Sequence, residues 1–300
     1  MEDIIKKADV LIEALPYIQS FYDKPIVIKY GGAGMTDAAI RRNVLEDIVF
    51  MSYVGMCPIL VHGGGPTLSK KLKDLGVGTK FVQGFRVTDE KTMQIAEEEF
   101  MRINTEIVRE IKSLGGSAMS LNGDEDGVIE VQKHGPIDGE DVGYVGDITK
   151  VNADVLQKML VGDIIPVIPP LGFGTNDDHA YNINADQVAA EVASAIGALK
   201  LVVLTNVQGI LRNLDNPDTL LSHVTLAEVD TLMKSGVIAG GMIPKVKACI
   251  KALEGGVPKT HILDAKIPHA LLLEIFTDKG IGTEIVSSGG GSASGGINGV

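Results

Sequence analysis

The chain has 300 residues, 45% of them apolar, no tryptophan and a formal net charge of −12; this length suits two domains built on aliphatic cores. An acidic chain lacks the basic surface that nucleic acid or an anionic membrane demands, which argues against both as partners. No apolar run is long enough to span a bilayer and the N-terminus has no apolar core of the signal type, so a cytoplasmic protein is expected.

Residues from Asp3 to about Tyr22 read as an amphipathic helix whose stripe runs from Ile5 through Leu11, Ile12 and Leu15 to Ile18. Such a helix suits either packing on its own domain or an oligomer contact. Two apolar runs then end in stacked glycines, Ile26-Val27-Ile28-Lys29-Tyr30-Gly31-Gly32 and Ile59-Leu60-Val61-His62-Gly63-Gly64-Gly65-Pro66. A β-branched run bounded by glycine reads as a buried strand, and glycine between strand and helix lets backbone amides approach an anion. Thr36 or Asp37 caps a helix running to Val54, Pro66 opens the next, and Asp89 or Thr88 caps a long helix from Glu90 to Lys112. Ser117–Leu121, Gly127–Lys133 and Gly143–Val151 read as short strands forming hairpins on a sheet edge. A helix at Ala153–Leu160, a strand at Ile164–Ile168 and an alanine-rich helix at Ala185–Ile196 complete the first block.

The second block starts at the strand Lys200–Leu204. Helices at Leu226–Lys234 and Ile243–Leu253, a strand at His261–Leu263, a helix at Ala270–Phe276 and a strand at Thr283–Val286 follow. Strands alternating with helices imply a mostly parallel sheet covered on both faces. The domain junction is placed near Gly197, and the glycine- and serine-rich residues 287–300 are expected to be a flexible tail. Cys57 and Cys249 both sit in apolar patterns, so two buried thiols are expected rather than a disulfide or a metal site.

Several chemistries are absent. The sequence has no P-loop, no complete G-x-G-x-x-G, no H-E-x-x-H and no G-x-S-x-G elbow. Lysines beside glycines remain. Lys29 ends the first strand before Gly31-Gly32, and Lys245 lies in Gly240-Gly241-Met242-Ile243-Pro244-Lys245 at the first turn of a helix. Either alone reads as a solvated surface residue; two in matching contexts point to phosphate contact. Arg86, in Gly84-Phe85-Arg86-Val87-Thr88-Asp89, suits bidentate carboxylate binding and equally a surface ion pair. His62 reads as a satisfied structural histidine. In Tyr181-Asn182-Ile183-Asn184-Ala185-Asp186, Asn184 suits a helix cap and Asp186 its first turn, and neither accounts for Asn182.

Taken in order, these five segments resemble the amino acid kinase family, over about Pro25 to Val286. The resemblance implies a three-layer αβα sandwich with a mostly parallel central sheet. It divides the chain into an N-terminal helix (1–22) for oligomerisation and regulation, an acyl amino acid-binding domain (23–197), an ATP-binding domain (198–286) and the tail. It implies a kinase that moves the γ-phosphoryl of ATP to the side-chain carboxylate of N-acetyl-L-glutamate, in arginine biosynthesis. Carbamate, the acceptor of another branch, has no α-carboxylate for Arg86; a catalytically silent relative would have no need of Lys29, Lys245 and Asp186 together.

By the same resemblance Lys29 and Lys245 neutralise the transferring group and Asp186 orients both. Gly64, Gly65, Arg86 and Asn182 hold the acyl amino acid. Gly31, Gly32, Asn206, Val207, Gly209, Ile210 and Leu211 line the nucleotide site, with Mg2+ held mainly by the phosphates and no metal site on the protein. Many relatives have aspartate where this chain has Asn206. Arginine-inhibited members carry an N-terminal helix, form hexamers as trimers of dimers, and bind the inhibitor at positions matched by His261, Glu274 and Gly280.

Overall fold

The computed structural model describes residues 1–121, 127–177, 179–277 and 280–287. Beyond Ser287 the expected flexible tail lies outside the described residues. The elements run α1 (Glu2–Phe21), β1 (Pro25–Tyr30), α2 (Ala38–Tyr53), β2 (Cys57–His62), α3 (Gly65–Asp74), β3 (Phe81–Val82), β4 (Phe85–Arg86), α4 (Glu90–Ser113), β5 (Ala118–Ser120), β6 (Ile129–Lys133) and β7 (Gly146–Val151). They continue with α5 (Ala153–Val161), β8 (Ile165–Ile168), β9 (Leu171–Gly174), β10 (Ala180–Asn182), α6 (Ala185–Ala195), β11 (Lys200–Thr205), β12 (His223–Thr225), α7 (Leu226–Lys234), α8 (Met242–Glu254), β13 (Lys259–Asp264), α9 (Ala270–Ile275) and β14 (Thr283–Val286).

The main sheet has eight strands in the order β12-β14-β13-β11-β1-β2-β8-β5, parallel at every pairing except β13–β14. Successive side chains of a strand face opposite sides, so each central strand feeds two cores. Val27, Ile59, Val61, Leu201 and Val203 join the core shared with α6 and α8, whereas Ile26, Ile28, Leu60, Val202 and Leu204 join the core shared with α2, α3 and α4. This explains why these strands read as unbroken apolar runs: both faces are covered. Each such side chain contributes about 1.5–3 kcal/mol on burial. The junction expected near Gly197 falls in the turn between α6 and β11, where Gly197 has φ +63°. The sheet continues across it, because β1 pairs with β11 from Ile26–Lys200 to Tyr30–Leu204.

Two expectations need correction, and one open alternative is narrowed. The strands around Gly127–Val151 are not hairpins on the edge of the main sheet. β5 is the parallel edge strand of that sheet, and β6 and β7 belong to a separate sheet of order β10-β9-β6-β7. Cys57 is only half-buried, while Cys249 is fully buried. The stripe of α1 does not pack along the chain's own body. Ile5, Leu11, Ile12 and Leu15 are exposed, and the helix docks through its last turn, where Phe21 is buried and Tyr17 meets Phe276 edge-on.

Candidate active site

β1, β2 and β11 are parallel, so the turns that follow them share one edge of the sheet. The N–H of Gly63 donates to the carbonyl of Tyr30 at 2.7 Å, which joins the two glycine turns. Their backbones nearly touch: a Cβ on Gly63 would stand 3.4 Å from the Cα of Gly31. Beside them opens a cavity of about 230 Å³ whose lining includes Lys29, Gly32, Gly64, Gly65, Arg86 and Asn182. Asp186 and Lys245 stand behind its Lys29 end.

At that end one carboxylate serves two cations. Asp186 Oδ1 lies 2.8 Å from Lys29 Nζ, and Oδ2 lies 3.4 Å from Lys245 Nζ. Lys29 arrives from the end of β1, Lys245 from the first turn of α8, and Asp186 from the first turn of α6. Asn184 caps α6 by accepting the N–H of Asp186 at 2.8 Å, so the helix cap also fixes the carboxylate. Burial pushes the Asp186 carboxyl up, but the two lysine charges outweigh it and leave it below the usual carboxylate range. Burial and the neighbouring charge of Lys29 push Lys245 down, against the pull of Asp186. With two cations around one anion, the cluster carries net positive charge in a poorly solvated place, which suits an anionic ligand.

At the cavity's other end Arg86 is only 7% exposed, which rules out the surface ion pair. Its Nη2 donates to Ser69 Oγ at 2.7 Å and to the carbonyl of Gly65 at 3.2 Å, and its guanidinium lies 4.7 Å over the ring of Phe81. No carboxylate pairs with it among the described residues, and Nη1 is buried without a partner. A buried guanidinium nitrogen without an acceptor leaves a donor for a ligand carboxylate. His62 is half of what the sequence suggested. Its Nδ1–H donates to the carbonyl of Gly63 at 2.7 Å, but its buried Nε2 has no partner among the described residues. Burial drives its pKa down to about 4, so the ring is neutral.

The structure does not bring every expected residue into this cavity. Asn206, Val207, Gly209, Ile210 and Leu211 follow β11 at the same sheet edge, outside the cavity lining. Asn206 is exposed; Ile210 is packed in the core, with its N–H donating to Thr283 Oγ1 at 2.8 Å. His261, Glu274 and Gly280 do come together, elsewhere. His261 Nδ1 stands 2.7 Å from Glu274 Oε1, the N–H of Ile281 donates to Oε2 at 3.1 Å, and a Cβ on Gly280 would meet both Glu274 oxygens at 3.1 Å. Burial pushes Glu274 up, but His261 and its other partners bring it below the usual range. Lys200 lies nearby, its Nζ 5.1 Å over the ring of Phe21 at the end of α1.

Sequence reasoning missed Ser69 and Phe81, which hold the arginine, and Phe100, whose ring packs against Gly64 in the cavity wall. Ser69 sits four residues after Gly65 on α3, a spacing that returns to the same helix face and could have drawn attention to it.

An αβα sheet, parallel but for one pairing, with glycine turns, paired lysines and a buried arginine at one edge defines a protein that handles anionic ligands. The chain belongs to the amino acid kinase family, whose sequence profile matches residues 24–264. It is 51% identical over 284 residues, 94% of each chain, to an acetylglutamate kinase of Thermoanaerobacter pseudethanolicus. A second acetylglutamate kinase, of Syntrophomonas wolfei subsp. wolfei, is 48% identical over 285 residues, covering 94% of this chain and 98% of the other. Among solved structures it resembles the N-acetylglutamate synthase of Neisseria gonorrhoeae complexed with coenzyme A and N-acetyl-glutamate, with a TM-score of 0.83 and 29% identity over 93% of this chain. The same synthase complexed with coenzyme A and L-arginine gives a TM-score of 0.80 at 27% identity over 93% of this chain. This chain spans 63% of the synthase's length in the first structure and 65% in the second. Among the described residues no helix is long and apolar enough to cross a membrane.

Proposed function

We propose that this chain carries the acetylglutamate kinase activity: it transfers the γ-phosphoryl of ATP to the side-chain carboxylate of N-acetyl-L-glutamate, giving an acyl phosphate, as a cytoplasmic step of arginine biosynthesis. The observation that carries this reading is identity of about one half with acetylglutamate kinases across nearly the whole of both chains. The cavity has the polarity that the reaction requires. A carboxylate acceptor, with an ordinary pKa of about 4.3, is already ionised and needs no general base. The obstacle is repulsion between two anions, so catalysis rests on positioning and charge neutralisation.

Lys29 and Lys245 neutralise the transferring phosphoryl group, and Asp186 holds their ammonium groups at the cavity's end. Arg86 Nη1 and Asn182 take the α-carboxylate end of the substrate, and the backbone amides of Gly64 and Gly65 contribute donors. Gly31 and Gly32 cradle phosphate oxygens. The loop from Asn206 to Leu211 contacts the nucleotide, and the buried Ile210 does so through its backbone. Mg2+ brought with ATP would supply further neutralisation of the phosphate charge; the cationic cluster at the cavity's end is no ligand set for it.

The His261–Glu274–Gly280 cluster is the binding place of arginine as a feedback inhibitor, with Glu274 facing its guanidinium. The exposed stripe of α1 joins copies of the chain into a hexamer, and Phe21 beside Lys200 links that helix to the inhibitor cluster. An ATP-dependent hydroxamate assay, in which hydroxylamine traps the acyl phosphate, tests the activity. N-acetylglutamate should be turned over in preference to glutamate and carbamate; no product from N-acetylglutamate rejects the proposal.

A further inference from the structure

Arg86 and Asn182 line one cavity, and a side chain of the arginine turn, 94 residues before Asn182, joins them. That side chain is Thr88, which is fully buried behind the cavity wall. Its hydroxyl donates to the carbonyl of Arg86 at 2.8 Å and accepts from Asn182 Nδ2 at 3.2 Å. The backbone around it is separately secured. The N–H of Thr88 donates to the carbonyl of Val142 at 2.9 Å, its carbonyl accepts from Tyr144 N–H at 2.7 Å, and the carbonyl of Tyr144 accepts from Asn182 N–H at 3.0 Å. Bridges Thr88–Gly143 and Val145–Asn182 align the three segments as a parallel ribbon. Gly143 has φ +76°, and a Cβ there would press to 2.2 Å from the carbonyl oxygen of Thr88, so only glycine permits this approach.

Proton counting then fixes a group that the fold alone leaves free. A threonine hydroxyl has one hydrogen. The carbonyl of Arg86 can only accept, so that hydrogen is spent there, and Oγ1 faces Asn182 as an acceptor. The amide atom opposite is therefore the NH2 group, because a flipped amide would compete with the Arg86 carbonyl for the single hydrogen and leave one of the two contacts unmade. We infer that Thr88 is the positioning residue of the acceptor-substrate site: it fixes which atom of the Asn182 amide faces the ligand and ties that amide to the arginine turn. Asn182 Oδ1 and one N–H are left for the ligand in a single orientation, in register with the free Nη1 of Arg86. Thr88 does not touch the ligand; it removes the alternative rotamer of a residue that does. The inference rests on reading this cavity as the acyl amino acid site.

Thr88→Val keeps the shape and the backbone bonds but deletes the hydroxyl. Loss of one hydrogen bond that orders a binding group should raise the KM for N-acetylglutamate about fivefold. The KM for ATP should stay as in the wild type and kcat should change little, the signature of lost ligand binding. Thr88→Ser should restore most of the affinity. A structural defect would act whatever stands at position 182, so the deciding readout is coupling. In an Asn182→Ala background, Thr88→Val should have almost no further effect on KM. An unchanged KM in Thr88→Val, or the same fold-change with and without the Asn182 side chain, overturns the inference. Thr88→Ala carries the same expectations should the valine variant not fold. Failure of the wild-type enzyme to turn over N-acetylglutamate is a separate result and counts against the functional reading instead.

Discussion

Lys29 Nζ and Asp186 Oδ1 stand 2.8 Å apart, and less than a tenth of either side chain reaches solvent. A pair so buried is costly to break on one side, because the remaining charge is left without compensation. Lys245 shares the same carboxylate from the other oxygen. Asp186→Asn should therefore loosen both lysines and lower kcat roughly 100-fold, the scale of losing a preorganised electrostatic contact. The pH profile adds a second readout. Burial already holds Lys245 below the ordinary lysine value, so its charge is lost as pH rises through that lowered pKa. The alkaline limb of kcat should lie below about 10.4, and Asp186→Asn, which removes the partner that raises Lys245, should shift it further toward neutral pH. A kcat within about threefold of wild type would count against the shared-carboxylate role.

Gly31 and Gly64 make a contrasting pair. A Cβ on Gly31 would lie 2.6 Å from Lys29 Nζ, and one on Gly64 would lie 2.5 Å from the ring of Phe100. The first collision is with the tip of a side chain, which can move only by leaving Asp186. Gly31→Ala should keep its melting temperature near wild type and lose kcat. The second is with a packed aromatic ring, so Gly64→Ala should cost about 1–3 kcal/mol of stability through overpacking. Thermal melts alongside steady-state kinetics separate the two; a Gly31→Ala enzyme with full kcat would show that Lys29 tolerates displacement.

The exposed face of α1 gives a prediction about assembly. Leu11 and Ile12 are each 69% exposed, which is unusual for consecutive apolar residues on one helix. If α1 joins copies as proposed, removal of residues 1–22 should convert the proposed hexamer to dimers by light scattering after gel filtration. It should also weaken the proposed inhibition by arginine, since Phe21 is lost from the side of Lys200. An intact hexamer with full inhibition would reject both roles of the helix.

How far the sequence spoke can be judged at particular residues. The starts of α2 and α4 were legible to within one residue, as Thr36 or Asp37 and Thr88 or Asp89, because short polar side chains stand before an apolar-periodic run; the structure picks the aspartates, which accept the N–H groups of Ala39 and Thr92. The strands feeding the main sheet were legible because burial on both faces leaves a continuous apolar signature. β3, β4, β10 and β12 are only two or three residues long, too short for any period to show. β6 and β7 do pair antiparallel, but the chain between them covers 134–145, and no local turn signal says that they leave the main sheet. At the site, the lysines, the glycines and Arg86 stood out by residue type. Ser69 and Phe81 did not, since their contact with Arg86 exists only once α3 and the β3–β4 turn are brought together.

Asp47 offers a pH test of stability away from the site. It lies on α2 with 1% exposure, accepts from His269 Nδ1 at 2.6 Å, and accepts the N–H of Leu271 in the first turn of α9 at 3.3 Å. Burial pushes its carboxyl up to about 6, against the pull of His269 and the backbone donors. A carboxyl whose folded pKa is raised keeps its proton in the folded chain after the unfolded chain has released it. Its stabilising contribution is present below about 4 and is lost as pH rises through about 6, on the order of 3 kcal/mol over that window. Asp47→Asn retains an acceptor for Leu271 and carries no buried charge, so it should flatten this part of the stability curve and match or exceed wild type at pH near 8. Asp47→Ala leaves the buried N–H of Leu271 unpaired and should be less stable than Asp47→Asn by about 1–3 kcal/mol. Urea unfolding of the three proteins at a series of pH values measures the difference. If wild type and Asp47→Asn show the same slope between about pH 4 and 6, Asp47 does not titrate there and the buried contact between α2 and α9 is held in its charged form.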